Sequence, residues 1–150
     1  MLVLLVLVLA TVFVRQVRQV RGQAELAQIK RTLGALRTAL VVAHLEAVVA
    51  GNRSNAGPAA ALAQRNPFLA LAALPINYAG LADSKALAVL PGGSWVFDPA
   101  CACIGYQPME IDRLEAPQGA QALWFQVSQQ PGPLRISPQS SYVWMNQVVD

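Results

Sequence analysis

From Leu2 to Val49 the chain contains no proline, and its only glycines there are Gly22 and Gly34. Proline is the firmest stop signal for a helix, since it lacks the N–H and its ring clashes with the preceding turn. An interior glycine costs only about 1 kcal/mol. The sequence therefore predicts one helix over Leu2–Val49. It should end in GNRSNAGP, where Gly51 and Asn52 suit a left-handed cap and Pro58 forbids continuation. At about 1.5 Å per residue the rod is near 70 Å long, far beyond the usual three turns of a globular helix.

The two ends of this rod differ in chemistry. Leu2 to Val14 carry no charge, and Arg15, Arg18 and Arg21 follow directly. Leu2, Val3, Leu4, Leu5, Val6, Leu7, Val8, Leu9, Val12, Phe13 and Val14 form a segment for a membrane or for other helices. Alone it covers only about 20 Å, against the roughly 30 Å of a hydrocarbon core. Beyond it, Val17, Val20, Leu26, Ile29, Leu33, Leu36, Leu40 and Leu45 recur mostly at steps of three, four and seven, the stripe of an amphipathic helix. Charge divides the same way. Residues 1–80 hold eight Lys/Arg against Glu25 and Glu46, whereas residues 81–150 hold three against six acids. A basic half beside an apolar run suits anionic lipid headgroups. No aromatic residues are interleaved with the arginines, so no nucleic-acid partner is expected.

The rest of the chain changes in kind. A short alanine-rich stretch, AALAQRN, has helical character, and NPFLALAALPINYAG reads as a packed loop with at most one helical turn. SWVFD and CIGYQP form a hairpin around PACA, ALWFQVSQ a third strand, and PLRIS with SYVWMNQV one or two more. The fold class is α+β: a small antiparallel sheet over residues 94–150 packs on the helix. Residues 1–14 are the apolar segment, 15–50 its amphipathic continuation, and 51–93 a loop-rich connection. Trp95, Phe97, Tyr106 and Trp124 in the strands should meet the helix at Val17, Val20, Leu33, Leu36 and Leu40.

Reactive constellations are scarce. His44, the single histidine, lies mid-helix and reads as a surface or partly buried residue. Glu110, Asp112 and Glu115 in MEIDRLE read as a solvated charge run. Neither a GxSxG elbow nor a Walker loop is present. Cys101 and Cys103 are too few for a zinc site, and a bridge between them would close a very tight loop. They read as ordinary hairpin residues. No enzyme, cofactor, metal or small-molecule substrate is expected.

The order of these elements resembles the type IV pilin and type II secretion pseudopilin superfamily. Its most specific part is NPFLALAALPINYAG followed by PGGSWVFDPACACIGYQP, which is similar to an N-P…P-x-N-Y-x-G segment and a P-G-x-W-x-F-D strand in bacterial pilin-like proteins. The resemblance implies a single-pass subunit in the bacterial inner membrane with its sheet in the periplasm. Its partners would be other pilin-like subunits, through the N-terminal helix, and membrane lipid. The alternatives are a membrane-anchored protein of another class and a secreted protein whose apolar run is a signal sequence.

The front departs from the family pattern: no basic leader, cleavage glycine or following glutamate precedes MLVLLVL. Arg15, Arg18 and Arg21 would also pull the C-terminal part towards the cytoplasm under the positive-inside rule, whereas the resemblance places it outside. Both tensions are relieved if the reading frame starts upstream of Met1. The codons before Met1 should then encode an in-frame glycine–hydrophobic–Glu pattern; a stop codon with no such pattern before it overturns that expectation.

Overall fold

The computed structural model describes residues 1–50, 65–128 and 134–150. The expected cap at Gly51–Pro58 and most of the alanine-rich stretch lie outside them. One helix, α1, spans Leu2–Val49 without a break. Leu26, Ile29, Leu33, Leu36 and Leu40 are buried along it, at alternating steps of three and four. That spacing keeps five side chains on one face at 3.6 residues per turn.

Among the described residues, eight strands make two sheets. The larger has the order β1-β2-β3-β5-β6, formed by β1 (Tyr78–Leu81), β2 (Trp95–Asp98), β3 (Cys103–Tyr106), β5 (Leu123–Ser128) and β6 (Arg135–Pro138). The smaller has the order β4-β7-β8, from Leu114–Glu115, Tyr142–Trp144 and Gln147–Val149. The α+β class is as expected, but the larger sheet is mixed, because β1 runs parallel to β2. A parallel strand has no hairpin turn to announce it, and Tyr78–Leu81 falls in the stretch read as loop-rich. Between β1 and β2 lies a short helix, α2 (Ser84–Ala88), whose first turn is capped by the Asp83 carboxylate accepting from Ala86 N–H at 2.7 Å. The smaller sheet closes with a two-residue turn at Met145 and Asn146, both at positive φ (47° and 64°). That is the primed turn a tight hairpin favours, built here without the usual Asn-Gly signal.

Period-two alternation assigns the faces of the larger sheet. Leu123, Phe125 and Val127 are buried on β5, and the register sets Tyr106 opposite Leu123 and Ile104 opposite Phe125. With Trp95, Phe97 and Ile136 they form one core with the helix stripe and with Phe68. Phe68 sits in a 3-10 turn, Pro67–Ala70, where the Asn66 carboxamide oxygen accepts from its N–H at 3.1 Å, and it stacks on Tyr78 at 4.3 Å.

Three expected packing residues, Val17, Val20 and Trp124, lie outside the core. Val20 is 55% exposed. It precedes Leu36 by sixteen residues, and at about 100° per residue that places it on nearly the opposite side of the helix. Trp124, half-buried, points to the outer face of the sheet, since its β5 neighbours Leu123 and Phe125 take the inner one. Its indole covers Gly105, where a Cβ would lie 2.8 Å from the ring. Val17 is half-buried, and Leu45 is exposed.

Leu36→Ala should therefore lower unfolding stability by about 2–5 kcal/mol, while Val20→Ala should stay within about 0.5 kcal/mol. Denaturant midpoints of the two variants measured side by side check this, and equal losses would contradict the assignment.

Candidate functional site: the free helix half and its seat

The helix is bare before it meets the sheets. Val3, Leu4, Leu5, Val6, Leu7, Val8, Leu9, Val12, Phe13 and Val14 are all exposed. Leu2 begins the helix, though its side chain lies outside the described residues. Arg15, Arg18 and Arg21 are exposed as well, and among the described residues none of them takes part in an ion pair. By length and composition this is a helix able to cross a membrane. Apart from the half-buried Val17, burial begins at Gly22. The free part, Leu2–Arg21, measures about 30 Å, close to a hydrocarbon core.

The seat at Gly22–Glu25 joins the helix to both sheets. The Trp144 indole N–H donates to the Gly22 carbonyl at 3.0 Å. A Cβ at Gly22 would lie 2.5 Å from Met145 Sδ and 2.7 Å from an Arg113 guanidinium nitrogen, so glycine lets the β7–β8 turn come close. One turn further, the Glu25 carboxylate accepts from the Tyr106 hydroxyl at 2.9 Å and from the Met109 backbone N–H at 2.7 Å. Glu25 is only 6% exposed.

Burial holds the Glu25 carboxyl above its ordinary range, because desolvation penalises the charge more than its two donors favour it. Glu110 adds repulsion and Arg113 opposes it. Burial, and then the Glu25 charge and hydrogen bond, also push the Tyr106 hydroxyl well above its usual value.

Of the expected contacts, Leu33, Leu36, Leu40, Trp95, Phe97 and Tyr106 meet in the core. Glu25, Gly22 and Trp144 are the members of the seat that sequence reasoning missed. One signal was available: Gly22 extends the spacing of Leu26, Ile29 and Leu33 back by one turn. His44 is half-buried, with no hydrogen-bond partner at Nδ1. Glu110 pairs with Arg113 at 2.5 Å. Cys101 and Cys103, read as ordinary hairpin residues, are joined by a disulfide. Among the described residues no three His, Cys, Asp or Glu side chains gather as a metal site would need. Comparison with protein-family profiles, curated proteins and solved structures finds no match to this chain.

Glu25 generates two predictions. Glu25→Ala strands a buried hydroxyl and a backbone N–H and should cost about 1–3 kcal/mol. Glu25→Gln keeps the acceptor without the charge. Because the folded state holds the Glu25 proton to higher pH than the unfolded chain, its stabilising contribution is full below the ordinary value of 4.5 and is lost as pH rises through the folded value. Denaturation between pH 4 and pH 8 should show Gln gaining on Glu as pH rises; a difference that is flat or of opposite sign would contradict this.

Proposed function

We propose that this protein is a membrane-anchored, pilin-like subunit that works by helix-mediated assembly and catalyses no reaction. The observation that carries the reading is a continuous helix with its later part seated on sheets and its first turns, Val3–Val14, uncharged and exposed. Such a surface is stable in lipid or against copies of itself, and moving from one to the other exchanges apolar neighbours without exposing backbone, because helical hydrogen bonds are internal. The order of sequence elements from the apolar run to the SWVFD strand supports the pilin-like form of this reading.

In this reading Leu2–Val14 is the anchor in the bacterial inner membrane and also the assembly surface. Arg15 and Arg18 extend their charged heads to the interface. The sheets lie on the periplasmic side, or in a filament of a type IV pilus or type II secretion kind. Its partners are other pilin-like subunits and membrane lipid.

The test uses the full chain expressed in a bacterial host. It should resist alkaline extraction from membranes, and Leu7→Asp, which places a charge worth about 3 kcal/mol in the span, should weaken that retention. With both native cysteines replaced by serine, Leu7→Cys should cross-link chains through the helix, and protease added to spheroplasts should digest the sheets. Release by alkali overturns anchoring. A monomer under every cross-linking condition supports a solitary anchored protein instead, and protection from protease reverses the topology.

A further inference from the structure

The β2–β3 connection, DPACAC, carries a pair of sulfurs that neither anchoring nor assembly uses. Asp98 pairs with Cys103 in the strand register, and the Asp98 carboxylate accepts from Ala100 N–H at 2.9 Å, so the hairpin is closed by its own hydrogen bonds. The Cys101–Cys103 bridge spans a single residue, Ala102, with the two Cα atoms 5.2 Å apart. Ala102 takes positive φ (54°), a conformation disfavoured for a residue with a Cβ. A bridge across so short a loop removes little freedom from the unfolded chain. It is poorly suited to be a stabilising staple.

The two sulfurs stand in unlike surroundings. Cys101 is exposed, whereas Cys103 is fully buried at 0%. Each lies near a carbonyl oxygen: Cys101 Sγ is 4.0 Å from Asp98 O, and Cys103 Sγ is 3.3 Å from Cys101 O. Among the described residues only Cys103 also has an N–H donor, the Gln139 side-chain amide at 2.7 Å, held beside it by the end of β6. A reachable sulfur is thus bonded to a shielded one that can carry negative charge against a donor. Once protonated, the Cys103 thiol could donate in turn to the Cys101 carbonyl, so the fold accommodates both oxidation states.

We propose that Cys101–Cys103 is a thiol-exchange site in which an external thiolate attacks Cys101 Sγ and Cys103 Sγ leaves towards Gln139. The attack forms a mixed disulfide at Cys101 and breaks the Cys101–Cys103 bond, whose electron pair departs on Cys103. A second external thiolate then attacks the external sulfur of the mixed disulfide and releases Cys101. Overall two external thiols are oxidised to one disulfide, and the pair gains two electrons and two protons. Rate follows access and the stability of the leaving thiolate, and both favour this direction.

The full chain in detergent, probed with glutathione and mapped by mass spectrometry after acid quenching, tests this. Reduced glutathione should open the pair in the folded protein, with the circular dichroism spectrum unchanged, and oxidised glutathione should close it again. In Cys103→Ser, oxidised glutathione should be captured at Cys101. In Cys101→Ser, Cys103 should react at least about tenfold more slowly when folded, and at a comparable rate in denaturant. Gln139 is exposed as a residue, so Gln139→Ala should fold, and it should slow opening at least about threefold. The proposal is overturned if the pair opens only on unfolding, if Cys103 is modified first, if the two thiols never rejoin, or if Gln139→Ala opens at the wild-type rate.

Discussion

One row of aliphatic side chains, Leu26, Ile29, Leu33, Leu36 and Leu40, holds the molecule together. A helix of 48 residues has no reason of its own to lie on a sheet. The row provides one, because steps of three and four keep a narrow apolar seam in line for four turns. The strands answer with alternate residues: Trp95 and Phe97 from β2, Ile104 and Tyr106 from β3, and Leu123, Phe125 and Val127 from β5. Helix period and strand period meet over one surface, and the rest of the architecture is arranged around it. The 3-10 turn carrying Phe68 closes part of its margin, and the smaller sheet closes its lower end.

Apolar packing alone would tolerate some sliding or rotation of the helix. The polar contacts at its lower end are directional and leave less freedom. The Trp144 indole reaches a single backbone carbonyl, and the Glu25 carboxylate takes one donor from the end of β3 and one from the loop after it. Buried polar groups of this kind add modest net stability, because desolvation offsets most of the gain. They do set register, since one residue of slip would leave the Trp144, Tyr106 and Met109 donors unmatched.

Much of the fold was legible in the sequence. The absence of proline set the helix, and alternation with turn residues set β2, β3 and β5. Three things were harder to see. The strand at Tyr78–Leu81 pairs in parallel with a distant segment, and four residues containing a glycine carry little periodicity. Val20 was placed on the seam by counting steps, although the angle to Leu36 puts it on the far side. Trp124 looked like a core residue by type, but it faces outward in the register set by Leu123 and Phe125. Of the site, the bare apolar half was visible at once. The seat was not, because Gly22 meets Trp144, and Glu25 meets Tyr106 and Met109, only when positions 81 to 122 residues apart come together.

Arg18 precedes Leu36 by eighteen residues, five whole turns, and so lies beneath the face that carries the core; Arg15 is about 60° away. That face changes at Gly22 from leucine above to arginine below, and the β7–β8 turn rests at the boundary. Only eight helical steps, about 12 Å of axial rise, lead from Val14 to Gly22. The molecule consequently has no neck. Whatever surrounds the apolar half must begin almost directly beneath the smaller sheet, so the standing height of the domain and the side on which it overhangs are both set by the helix itself.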